Sequence, residues 1–176
     1  MYSKVKLLGH PVHPMLVAYP IAFYTSTFVA YLIYTVGGDP FWFKVAVVAN
    51  IAGVVMAAIT AIPGFVDWAF GVPASSPAKR RGLIHLGLNV SALLLFLISA
   101  IVNTGQFNAV APPAGWGLAL SLLGVLCTVG AGALGWTMIQ SDHVGVELTP
   151  AQMAIDRERD AQRAADEQRR GGPAPA

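Results

Sequence analysis

Charge is scarce in this sequence and cysteine is nearly missing. Only 11% of the 176 residues are Asp, Glu, Lys or Arg, against 55% hydrophobic. Soluble domains carry about a quarter charged residues, so the side chains that make a water-facing surface are in short supply. The shortage is uneven, because most of the charge follows Gln140. A net charge of +2 and the lack of a basic stripe with interleaved aromatics exclude a nucleic-acid surface. The one cysteine, Cys127, excludes an internal disulfide and any Cys-x-x-Cys motif, covalent c-type haem attachment included. Among Leu126, Thr128 and Val129 it reads as a packing residue. No histidine–serine–acid grouping and no phosphate-cradling loop is present, which removes the common hydrolases and nucleotide enzymes.

What is abundant is long apolar runs. A bilayer core needs about 20 mostly apolar residues as helix, and residues 14–36, 41–66, 83–102 and 116–139 each qualify. The first is too long for a signal-peptide core and reads as a retained anchor. The expected fold is all-α, an integral membrane four-helix bundle over residues 1–148. A charged cytoplasmic helix at 149–170 and a disordered tail at 171–176 follow. That helix has a start signal in Thr149, Pro150 and Gln152, a cap, a first-turn proline and a reciprocal capping partner. Its mixed charges read as a solvated face, with partner binding the sharper alternative.

Loop charge sets the orientation. Lys4, Lys6, Lys79, Arg80, Arg81 and the Arg-containing tail share one side, and only Lys44 lies on the other. The positive-inside rule then places both termini in the cytoplasm of a bacterial inner-membrane protein. Small residues recur at helical spacing, Ala49-Gly53-Ala57-Ala61 in span two, and Gly124-Thr128-Gly132 and Cys127-Ala131-Gly135 in span four. These favour close helix approach in a bundle and leave room for a homo-oligomer. Pro20 and Pro63 predict kinks, and Trp42, Trp68, Trp116 and Trp136 fall at span ends as an interfacial belt.

On this topology His10, His13, His85 and His143 all reach the cytoplasmic face, with Asp67 at the end of span two. His10 and His13 sit in His-Pro-Val-His-Pro, where each proline restricts the histidine before it. Arg80 or Arg81 is expected to pair with Asp67, since a carboxylate at membrane depth needs a partner. The plain reading is that histidine is comfortable at an interface. The sharper reading is a ligand set: a haem b held by two axial imidazoles from the four histidines, or a transition metal on His10, His13 and His85. The opposite face has no histidine, so at most one such haem fits.

Four segments, GHPVHPMLVAYPIAF, AIPGFVDW, RRGLIHLGLN and SDHVGVEL, resemble an uncharacterised bacterial family of small four-span membrane proteins. That family is marked by a Gly-His-Pro-x-His-Pro motif, and some members are joined to Rieske-type iron–sulfur domains. Its helical core is similar to that of the membrane dihaem b-type cytochromes. The resemblance spans residues 7–148, points to His10, His13 and His85, and implies a redox setting. An iron–sulfur partner would be a separate polypeptide, because this chain lacks the Rieske cysteine–histidine pairs. The leading reading is therefore a haem-b or metal-binding electron-transfer subunit without catalysis of its own, exchanging electrons with a quinone or an iron–sulfur protein. Two others compete: a small transporter or channel lined by Asn50, Asn89 and Asp67, and a cofactor-free membrane anchor or assembly factor.

Overall fold

The computed structural model describes residues 3–146 and 148–170. The chain divides into two compact units, Met1–Gly145 and Val146–Ala176. In the first, a short antiparallel pairing of β1 (Lys6–Leu7) with β2 (His10–Pro11) leads into α1 (Val12–Leu16). Then follow α2 (Ala18–Gly37), α3 (Pro40–Val66), a π-helical turn (Asp67–Gly71), α4 (Pro77–Thr104) and α5 (Gly115–Gln140). Four helical stretches, Val12–Gly37, Pro40–Gly71, Pro77–Thr104 and Gly115–Gln140, are long and apolar enough to cross a membrane. The molecule is a helical membrane bundle.

Local chemistry explains the boundaries. Gly38, at φ 74°, closes α2 in the left-handed conformation that glycine tolerates. Asp39 caps α3 by accepting the Phe41 N–H at 2.9 Å, with Pro40 in the first turn. The first span breaks at Val17 because Pro20 has no N–H for the carbonyl of Leu16 and its ring crowds that turn. The sequence reading placed Lys79, Arg80 and Arg81 in a loop. They lie instead in the first turns of α4, which starts at Pro77. The outward faces are apolar, with Leu32, Val48, Leu94 and Leu126 all exposed, and lipid is the solvent that suits them.

Helices α2, α3, α4 and α5 pack in that order around a closed ring. The core is built by rings seated in glycine notches. A methyl group on Gly53 would lie 2.7 Å from the Tyr24 ring and one on Gly117 2.7 Å from Tyr31, while Gly124 faces Phe96 just as closely. Tyr24 and Phe96 meet across the bundle centre, stacked with centroids 3.7 Å apart and planes 4° off parallel. The small-residue ladders thus admit aromatic rings as well as close backbones, an interlock that packing alone can stabilise in lipid.

In the second unit α6 (Pro150–Arg169) begins with a full capping box, Thr149 N–H to Gln152 Oε1 at 2.9 Å and Gln152 N–H to Thr149 Oγ1 at 3.3 Å. The tail at 171–176 lies outside the described residues.

Candidate functional site

On one side of the Tyr24–Phe96 layer the four helices open into a chamber of about 390 Å³. Its walls are mostly apolar and small, among them Ala57, Ala61, Gly64, Leu86 and Gly132, and its polar groups are few: His13, Thr60, His85 and Asn89 among them. Size and lining match small-molecule sites, about 300–1,000 Å³, mostly apolar, with a few convergent polar groups.

His13 and His85 face each other across this chamber, with ring centroids 6.4 Å apart and planes at 86°. Each ring is fixed by its Nδ1, and in opposite directions. His13 Nδ1–H donates to the carbonyl of Thr60 on α3 at 3.0 Å, and His85 Nδ1–H to the carbonyl of Ala131 on α5 at 2.8 Å. A carbonyl only accepts, so in its neutral form each ring carries its proton on Nδ1 and keeps Nε2 as an acceptor. Asn89 donates to His85 Nε2 at 3.1 Å and to the His85 carbonyl at 2.8 Å. Glycine again supplies the room: a methyl on Gly64 would fall 2.7 Å from His13 Nδ1, and one on Gly135 would fall 3.2 Å from His85 Cε1.

The other two histidines do not join them. His10 is exposed on β2, held by the pairing of Leu7 with His10, and does not line the chamber. His143 follows α5 in a left-handed conformation, φ 51°, and lies outside the chamber lining too. Among the described residues no three His, Cys, Asp or Glu side chains gather as a metal shell. The His10–His13–His85 arrangement is therefore not assembled, because the β1–β2 pairing turns His10 away from the bundle.

The expected ion pair is also rearranged. Asp67 is bound by the N-terminal segment, accepting from Ser3 Oγ at 2.7 Å and from the backbone N–H groups of Lys4 and Val5 at 2.6 and 3.1 Å. Arg81 takes Asp142 instead, at 2.5 Å, tying α4 to the end of α5. Arg80 points into the exposed surface. Lys79 reaches back to the carbonyls of Trp68 and Ala69 at 2.6 and 3.1 Å and sits 4.3 Å above the Trp68 ring, whose Nε1–H donates to the Lys79 carbonyl. Trp68 is thereby part of the helix junction rather than a free interfacial residue. The reason is the π-helical turn, which leaves backbone carbonyls pointing outward for a cation to satisfy.

The carbonyl of Thr60 and the notch at Gly64 were not singled out from the sequence. The available signal was Ile-Pro-Gly inside an apolar run, since a proline weakens the helix wall at its own turn. Asn50, Asn89 and Asp67 do not form one path either: Asn50 lies beyond the Tyr24–Phe96 layer, Asn89 is bonded to His85, and Asp67 holds the N-terminal segment.

No curated protein and no solved structure matches the chain. Residues 9–148, which carry the whole bundle and both chamber histidines, match the family described as predicted membrane protein (DUF2231), and the chain belongs to that family.

Proposed function

We propose that the protein is an electron-transfer subunit in which His13 and His85 hold one haem b iron between them. The carrying observation is the crossed pair of anchored imidazoles at 6.4 Å. With metal–nitrogen bonds of about 2.0–2.1 Å and the half-width of each ring added, a metal midway between two imidazoles sets their centres about 6 Å apart. Ligating histidines usually donate their second N–H to a carbonyl or carboxylate, as both do here. His13 and His85 would be the residues that hold a haem, whereas two side chains fall short of the three or four a bare ion needs. Bound haem supplies one-electron chemistry.

The residues do the positioning. Thr60 and Ala131 fix the two rings, and Gly64 and Gly135 give them space. Asn89 can turn off Nε2 while keeping its bond to the His85 carbonyl, so His85 is freed without leaving the amide unpaired. The positive charge of Lys4, Lys6, Lys79, Arg80 and Arg81 supports a cytoplasmic location for both termini and the chamber, in a bacterial inner membrane. A quinone or a separate iron–sulfur protein is the electron partner that reading implies.

Haem and metal analysis of protein expressed with ample haem and iron tests this. Wild type is expected to carry one haem per chain, and His13→Ala and His85→Ala none, with all three inserted in the membrane. A wild type empty of haem would overturn the reading and favour the anchor or assembly role.

A further inference from the structure

The bundle repeats in layers, and the one beyond the aromatic pair is polar. Tyr24, Gly53, Phe96 and Gly124 make the central layer by direct contact. Helices α2 and α4 run one way and α3 and α5 the other. Three residues onward along each gives Thr27, Asn50, Ser99 and Ser121, about 4.5 Å further into the bundle. All four side chains are fully buried, one from each span. This is the same register that puts Tyr31 against Gly117 one turn later.

Four polar groups at mid-bundle would ordinarily bond across helices and hold the spans together. These do not. Thr27 donates back to the Phe23 carbonyl at 2.8 Å, and Ser121 to the Leu118 carbonyl at 3.1 Å. Ser99 accepts from Asn103 at 3.5 Å, while the same amide donates to the Ser99 carbonyl at 2.7 Å. Asn50 is left with neither its carbonyl oxygen nor its amide nitrogen hydrogen-bonded. Burying a polar group without a partner is costly, so a sequence built only for packing would place leucine or alanine at position 50. Buried groups of this kind are commonly satisfied by internal water, which takes two to four polar partners.

We propose that Thr27, Asn50, Ser99 and Ser121 form an internal water site on a proton path that runs from Asn103 to the Tyr24–Phe96 pair. The path has an outer end, because Asn103 lines a second cavity with Gln106, Pro113 and Trp116 at the far end of the bundle. From there Asn103 touches Ser99, and the Tyr31 hydroxyl and Asn50 lie within the next turn. Asn50 and Asn103 hold water in place, and the hydroxyls and waters carry the proton. Each carrier passes one proton on as it takes another, so none changes its net protonation. The stacked pair closes the inner end. The Tyr24 hydroxyl, buried and also without a hydrogen-bond partner, belongs to a residue lining the histidine chamber beyond. Movement of these two rings joins the water site to the chamber.

The test is proton uptake into vesicles loaded with a pH-sensitive dye and driven by a potassium gradient with valinomycin. It reads protons alone and does not depend on bound haem. Wild type, with the pair stacked, is expected to pass protons slowly. Phe96→Ala should raise uptake several-fold, and Phe96→Ala with Asn50→Leu should return it to the wild-type rate. Melting in detergent checks that each variant is folded. If the Asn50 double variant does not fold, Phe96→Ala with Ser99→Ala carries the same forecast. Uptake by Phe96→Ala no faster than wild type, or undiminished by loss of the polar layer, would overturn the proposal.

Discussion

The two halves of the bundle meet at one aromatic layer and treat polar side chains in opposite ways. In the histidine half, imidazoles are anchored at one nitrogen to backbone carbonyls and present the other side to an open chamber. In the other half, polar side chains are sealed at zero exposure, and Asn50 meets no partner at all. One region opens into a chamber of about 390 Å³, and the other buries its polar side chains completely. Both rest on the same device, a ring from one helix in a glycine notch on another.

Attacking that device should erase the difference. Gly124→Leu drives a branched side chain into the Phe96 ring at the boundary of the two halves. Overpacking of a tight core costs about 1–3 kcal/mol and at times more. Loss of folded protein, read from melting and size exclusion in detergent, is the expected outcome. A variant melting near wild type would show that the aromatic layer is not what joins the halves.

Gly64→Ala and Gly135→Ala are a sharper pair, because they should touch the histidine half alone. A methyl on Gly64 meets His13 Nδ1 at 2.7 Å, whereas on Gly135 it meets only the edge of His85 at 3.2 Å. The first should break the His13–Thr60 bond and abolish haem retention. The second should preserve it, at a stability cost of about 1 kcal/mol. Equal retention in both would mean that the notch does not position His13.

Asp67→Ala removes three acceptor contacts to Ser3, Lys4 and Val5, each worth about 0.5–1.5 kcal/mol. Trypsin should then cut at Lys4 or Lys6 faster, while vesicle proton uptake stays at the wild-type rate. The smallest effect belongs to Arg81→Ala. Its half-exposed pairing with Asp142 is worth about 1 kcal/mol or less, and the loss should shrink further as salt is raised.

Much of the bundle was legible in the sequence, and the reasons differ by element. Apolar length located all four spans, because few arrangements other than a membrane helix suit so long a run. The start of α4 was missed because charge at 79–81 reads as loop, although a helix can begin in the headgroup region and carry its charges there. The site was half legible. His13 and His85 were identified as members of a set of four, but topology brings histidines only to one membrane level. Which two meet is decided by the β1–β2 pairing, which removes His10, and by the carbonyls of Thr60 and Ala131, which leave no mark on side-chain pattern. Asp67 was expected to take a cation and takes a hydroxyl and two backbone N–H groups instead, because backbone N–H groups are invisible in sequence.

The central claim, that His13 and His85 flank a single iron with their ring planes crossed, is tested most directly by electron paramagnetic resonance of the oxidised, haem-replete protein. The account predicts one low-spin ferric centre with the strongly anisotropic spectrum that perpendicular imidazole planes produce, absent in His13→Ala and His85→Ala and unchanged in His10→Ala and His143→Ala. A wild type without a ferric haem signal, or a signal that survives loss of either chamber histidine, would contradict it.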